Sequence, residues 1–271
     1  MKNTLFLKLV LGFGLSLSIS SSVFAKKSPK EEKACAKGNL DACADLGNLY
    51  MRGKIGSRWD YEANEEIAKT ILLDACDGGR AKACSFMGVF YIDIDPNPNL
   101  AVKYLEQACE QQRASSCFNL AYLYSKDKYN IIDYAKAAEL NQKACKLDSK
   151  SYACMELAFA YSKGRGVNQD QFKAANLLEN SCESGQKVAC NEIAARYASG
   201  KGVEVDFAKA AALYKPNCSH GFAMSCRRLG QLYETGGDKL SSNKKRAIKY
   251  YKKACKIDSP RSCHKVRELS K

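Results

Sequence analysis

The chain runs to 271 residues with 43 Lys or Arg against 29 Asp or Glu, a formal charge of +14, fourteen cysteines and two histidines. Two histidines, His220 and His264, far apart in sequence, exclude the usual zinc centre, and no Cys-x-x-Cys occurs, which argues against a thiol oxidoreductase. What remains to be explained is an even and unusually large number of half-cystines.

Residues 1–25 read as a cleavable secretory signal: Lys2 and Lys8, an apolar run from Leu9 through Leu17, then small residues ending at Val23, Phe24 and Ala25. Gly and Ser interrupt the run too often for a membrane span, and no cysteine stands at the cleavage point to accept a lipid. The expectation is cleavage near Ala25 and a secreted or periplasmic protein with no membrane span. In such a compartment an even cysteine count argues for disulfides.

The cysteines fall into seven pairs. Six have partners eight residues apart, namely Cys35/Cys43, Cys76/Cys84, Cys109/Cys117, Cys182/Cys190, Cys218/Cys226 and Cys255/Cys263, while Cys145/Cys154 is one residue longer. On one continuous helix a separation of eight spans about 12 Å, whereas a disulfide needs Cα atoms roughly 4.4 to 6.8 Å apart. If each pair is bonded, the chain reverses between its members, so the spacing describes a helix corner closed by sulfur.

Between pairs the sequence is helical in period. Upstream of each first cysteine, from the second pair on, stand Ala at minus eight and a large apolar residue at minus five: Ala68/Ile71, Ala101/Tyr104, Ala137/Leu140, Ala174/Leu177, Ala210/Leu213 and Ala247/Tyr250. Downstream of the second cysteine come an apolar residue at plus three, Gly or Ala at plus four and Tyr at plus seven, as in Leu46-Gly47-Tyr50, Met87-Gly88-Tyr91 and Leu157-Ala158-Tyr161. Each repeat is thus two short amphipathic helices, the small residue letting a neighbour approach. Gly164-Arg165-Gly166-Val167 and Gly200-Lys201-Gly202-Val203 join the two helices of a repeat. With no strand pattern before them, these read as helix caps and not as phosphate loops. Pro96 and Pro98 stiffen one longer connection.

The last segment, 239–271, carries twelve Lys or Arg against Asp258 and Glu268. It is either a polar terminal cap or a patch for an anionic envelope or host partner. Export and the lack of a recognised module set nucleic acid aside.

Helix pairs of this length with Leu-Gly-x-x-Tyr, Gly-x-Gly-Val and Ala-x-x-Tyr/Leu resemble Sel1-like repeats, relatives of the tetratricopeptide repeat, and the cysteine pair at a separation of eight resembles the Helicobacter cysteine-rich protein family. Two features depart from the pattern. The connection from Met51 to Glu66 is long and holds Trp59, and the repeats at Cys84 and Cys117 lack the Gly-x-Gly-Val corner. The resemblance implies an all-α fold: a right-handed superhelical solenoid of disulfide-stapled αα-hairpins over 26–271, six helix pairs plus terminal caps, with no cofactor and no metal.

For function the resemblance implies penicillin binding and slow β-lactam hydrolysis. A serine enzyme of the usual kind needs Ser-x-x-Lys with Ser-Asp-Asn and Lys-Thr-Gly. Ser125/Lys128, Ser184/Lys187, Ser241/Lys244, Ser242/Lys245 and Ser262/Lys265 meet the first spacing, and the other two elements are missing. Catalytic residues therefore stay unassigned. The alternative is a non-catalytic scaffold whose concave groove holds a peptide, a peptidoglycan fragment, a β-lactam or a host protein. Positions plus two and plus five from the second cysteine point away from the core stripe, which makes Asn119, Tyr122, Glu156, Phe159, Glu192, Arg228 and Gln231 the candidate groove residues.

Overall fold

The computed structural model describes residues 30–52 and 64–271. The expected secretory signal and Trp59 lie outside the described residues. Two compact units are present, divided between Asp133 and Tyr134.

The first unit holds helices α1 (Lys30–Ala36), α2 (Leu40–Arg52), α3 (Glu65–Asp77), α4 (Ala81–Asp93), α5 (Pro98–Glu110) and α6 (Ala114–Ser125), then a short 3-10 turn, Asp127–Tyr129. The second holds α7 (Tyr134–Leu147), α8 (Tyr152–Lys163), α9 (Gln171–Glu183), α10 (Lys187–Ser199), α11 (Phe207–Ser219), α12 (Ala223–Thr235), α13 (Lys244–Asp258) and α14 (Pro260–Leu269). Among the described residues there is no strand, only an isolated bridge between Gly237 and Leu240. The fold class is all-α, with helix hairpins stacked on one another within each unit.

Sulfur closes the corners. All seven expected pairs are bonded. The Cα–Cα distance is 4.6 Å at Cys35–Cys43 and Cys218–Cys226, 4.7 Å at Cys76–Cys84 and Cys109–Cys117, 4.5 Å at Cys182–Cys190 and 4.8 Å at Cys255–Cys263. The longer Cys145–Cys154 loop closes at 4.7 Å as well. Its extra residue is taken up in a turn where Asp148 accepts the Lys150 N–H at 2.9 Å and Ser151 caps α8 by accepting the Ala153 N–H at 3.2 Å.

The structure also buries several of these cysteines, Cys43 and Cys226 among them, at 2% and 0% exposure. Each stands in the first turn of its helix, Cys43 on α2 and Cys226 on α12, three residues before the core leucine of that helix, Leu46 or Leu229. Helical spacing puts cysteine and leucine on one face, so the sulfur faces inward with the core. Cys226 and its partner Cys218 belong to the same apolar cluster as Leu229. These half-cystines are therefore core residues as well as links, a role that spacing alone does not reveal.

The other corner of each repeat is made by the backbone. The N–H of the residue that precedes a second helix donates to the carbonyl of the tyrosine at plus seven: Asn64 to Tyr50 at 3.0 Å, Asn97 to Tyr91, Asp133 to Tyr124, Asp170 to Tyr161 and Asp206 to Tyr197 at 2.9 Å, and Asn243 to Tyr233 at 2.7 Å. The Asx side chains of Asn64, Asn97, Asp170, Asp206 and Asn243 then accept an N–H three residues on, satisfying donors that a helix start leaves open. Pro98 does more than stiffen a connection. It is the first residue of α5, where its missing N–H costs no helix bond.

Packing explains the small residue at plus four. A Cβ built on Gly88 would lie 2.4 Å from Leu105 Cγ, and Leu105 is wholly buried, so α4 and α5 meet backbone to side chain. The second glycine of each Gly-x-Gly corner is set by close approach too: a Cβ on Gly166 would lie 2.0 Å from the Tyr134 carbonyl oxygen, and one on Gly202 the same distance from that of Gln171. Ile71 and Tyr104 at minus five are buried, at 4% and 8% exposure, but from the second pair on, in every second helix except α7, which has Asn141, the deeper of the two apolar positions is minus four. Leu72, Leu105, Leu178, Tyr214 and Tyr251 are buried there, whereas Leu140, Leu177, Leu213 and Tyr250 at minus five are half-buried. Leu178, Ile193, Tyr214 and Leu229 anchor the core of the second unit.

Candidate functional site

In the second unit α7, α8 and α9 enclose a groove of about 310 Å³. Its apolar floor is Leu157 and Tyr161 from α8, Leu177 from α9 and the Cys145 half-cystine. Gln142 and Lys146 of α7 form one rim, and Lys173, Asn176 and Asn180 of α9 form the other. Helical spacing sets this arrangement. Gln142 and Lys146 are four apart, and Lys173, Asn176 and Asn180 step by three and four, so each set shares one face.

The rims hold two ammonium groups and three amides with no carboxylate. Lys173 Nζ sits 5.4 Å from the centre of the Tyr161 ring, a cation–π contact, and 3.5 Å from Asp170 Oδ2 just outside the groove. Asp170 also caps α9, and the Lys173 N–H bond, followed by the Lys173 charge, holds its carboxyl below the usual value. Chemically the groove offers donors over an apolar floor.

The sequence-derived groove residues lie on the first helices of their repeats. Asn119 is half-buried and Tyr122 exposed on α6; on α8, Glu156 is exposed and Phe159 half-buried beside Leu157 and Tyr161. Glu192, half-buried on α10, and the exposed Arg228 on α12 both act on Tyr214, whose hydroxyl is pushed up to about 12, first by burial, with Arg228 opposing and Glu192 adding. Arg228 Nη1 donates to Gln231 Oε1 at 3.4 Å. None of these seven lines the 310 Å³ groove. The residues that do line it stand outside those seven positions, though Leu157, Tyr161, Leu177 and Cys145 belong to the apolar and cysteine pattern of the repeat.

Two of the Ser-x-x-Lys pairs are committed elsewhere. Ser125 Oγ donates to the Tyr122 carbonyl at 2.9 Å. Ser262 is buried 2.8 Å from Ser259 Oγ, and Lys265 Nζ donates to Glu234 Oε1 at 2.9 Å and Glu268 Oε1 at 3.1 Å. Those carboxylates, Glu234 first, raise the Lys265 pKa, the opposite of what a proton-accepting lysine needs.

A family model described as Sel1 repeat matches residues 40–63, 81–112, 114–149, 151–186, 187–221 and 223–259. The chain belongs to the Sel1 repeat family. Among solved structures this Sel1 repeat protein is similar to c5321, a protective antigen of uropathogenic Escherichia coli strains (23% identity, 97% of this chain and 55% of that one, TM-score 0.75). It is also similar to a Sel1 repeat protein from Oxalobacter formigenes (24% identity, 94% of this chain and 97% of that one, TM-score 0.65). These likenesses show the fold. Among curated proteins it is similar to cytochrome c oxidase assembly factor 7A of Xenopus laevis, 27% identical over 119 residues that make up 41% of this chain and 50% of that protein. This Sel1 repeat protein thus spans about half the length of the curated relative it matches.

Proposed function

We propose that this cysteine-rich Sel1 repeat protein is an exported, non-catalytic scaffold that holds an extended peptide segment of a partner in the groove between α7, α8 and α9. The observation that carries the reading is the groove itself: an apolar floor of Leu157, Tyr161 and Leu177 between rims of three amides and two lysines. Such a rim satisfies a peptide backbone while the floor buries its side chains. Seven short disulfide loops support export, because such bonds persist in oxidising compartments. Periplasmic residence or secretion after cleavage near Ala25 belongs to the same reading, as do peptidoglycan peptides and host proteins as partners. The lysine-rich outer face of α13 supports a second contact, with an anionic envelope or host surface.

Selection of a displayed random peptide library on the oxidised chain, followed by hydrogen exchange with an enriched peptide, tests the proposal. Protection of the α7 and α9 rims is expected; no enrichment, or protection confined elsewhere, overturns it. A chromogenic cephalosporin incubated beside a heat-denatured control tests the non-catalytic part. Hydrolysis above that control overturns it.

A further inference from the structure

We infer that the groove between α7, α8 and α9 selects a carboxylate carried by its peptide partner, seated between Lys173 and the Tyr161 hydroxyl. This rests on the peptide-binding reading and names the chemistry that the groove takes.

The argument comes from the next repeat, where the same three positions are filled differently. Counting from the first cysteine of each repeat, Gln142 and Glu179 both stand at minus three. Tyr161 and Tyr197 both stand seven after a second cysteine, and Lys173 and Lys209 both stand nine before the following first cysteine. In the α9–α10–α11 repeat the trio is closed by the protein's own carboxylate. Glu179 Oε1 lies 2.7 Å from Lys209 Nζ and accepts the Tyr197 hydroxyl at 2.9 Å, while Lys209 stands 4.2 Å from the centre of the Tyr197 ring. The chain thus exhibits, inside itself, the group that this tyrosine–lysine arrangement binds.

In the α7–α8–α9 repeat an amide replaces that carboxylate. Gln142 brings no charge, Lys173 has a side chain 64% exposed, and its ion pair with Asp170 is 3.5 Å long. The space over Tyr161 remains open as part of the 310 Å³ groove, and Lys146 adds a second positive charge to the rim. A carboxylate entering there meets the ammonium and phenol that Glu179 meets one repeat later, and Asn176 and Asn180 lie next along α9 for the adjoining peptide backbone. Gln142 is therefore the residue that sets this groove open and selective.

Three hexapeptides of alanine and leucine test this by ¹H–¹⁵N NMR titration of the oxidised full-length mature chain. One is capped at both ends and carries a central glutamate, one is its capped glutamine counterpart, and one carries the glutamine and a free C-terminal carboxylate. The expected result is that a carboxylate-bearing peptide shifts the Asn176 and Asn180 side-chain amides and binds about tenfold tighter than the capped glutamine peptide, the scale of a charge-assisted hydrogen bond. Which of the two acidic peptides does so identifies the source as side chain or chain end. Gln142→Glu rebuilds the Glu179 arrangement, so it is expected to fold and to lose that preference; Lys173→Gln is expected to lose it as well. Equal binding of all three peptides at the groove overturns carboxylate selection and leaves peptide binding standing. No shift of groove resonances with any peptide overturns both.

Discussion

Lys209 Nζ stands 2.7 Å from Glu179 Oε1, joining α11 to α9 past the Tyr197 ring of α10. The hydrogen bond from Lys209 first, with that from Tyr197 and the Lys209 charge adding to it, holds the Glu179 carboxyl below its ordinary value of 4.5, against the opposing effect of burial. A carboxyl depressed in the folded state contributes stability that is present above its unfolded pKa and lost as pH falls through the folded one. The pair is partly exposed, so the contribution is about 1 kcal/mol. Glu179→Gln should therefore lower the thermal midpoint at pH 7, and the gap from the parent should close as the pH falls below Glu179's lowered pKa. Paired thermal scans from pH 7 to pH 2 check this, and a gap that stays constant would refute the clasp.

Each sulfur bridge closes a loop of about nine or ten residues, and in the chain-entropy picture one such loop contributes roughly 2.5 kcal/mol. Replacing Cys145 and Cys154 together by serine should destabilise the chain by about that much. Urea denaturation measures it. Full reduction should lower the midpoint further, though by less than seven such contributions, since a domain is stable by only about 5 to 15 kcal/mol in all. An unchanged midpoint after reduction would remove the staple from the account of stability.

The two glycines of the first Gly-x-Gly corner should respond unequally. Both have positive φ, 66° at Gly164 and 72° at Gly166, so alanine is strained at either, by roughly 1 kcal/mol. At Gly164 a Cβ meets nothing closer than 3.4 Å; at Gly166 it would enter the backbone of Tyr134. Gly166→Ala should thus cost at least about 2 kcal/mol more than Gly164→Ala, an overpacking penalty against atoms that cannot rotate away. Equal costs in urea titrations would mean that the corner yields.

Much of this is legible in the sequence because it is periodic. Sulfur spacing and the plus-three, plus-four, plus-seven pattern are local and repeat, so they locate every corner and the buried face of each first helix. The same spacing says nothing of depth, which is why the burial of Cys43 and Cys226 emerges only from packing. Aligning minus five across repeats misplaces the deepest contact by one residue, since Leu177 and Leu178 are both apolar and only packing separates them. The groove escapes the pattern for the opposite reason. It exists where a repeat departs from its neighbours, and its rims come from second helices, where periodicity marks only core residues. The signal is present at minus three, which reads Glu106, Gln142, Glu179, Lys215 and Lys252.

Helix α13 should govern adhesion to polyanions. Lys245, Lys249, Lys252 and Lys256 follow a four, three, four spacing and are all exposed, so they form one stripe down the outer face. Ala247, Tyr251 and Ala254 occupy the buried side. Changing the four lysines to glutamine should lower the salt needed to elute the protein from immobilised heparin, with stability altered by less than about 0.5 kcal/mol. Unchanged elution would assign the charge to solubility alone.

The shortness of the sulfur loops also bears on how the molecule matures. Every half-cystine has its mate eight or nine positions away, so a chain oxidised as it is delivered from one end meets the correct partner before any other repeat has arrived. Fourteen thiols would ordinarily invite scrambling. Here the order of arrival sorts them, and each hairpin can be locked without waiting for the rest.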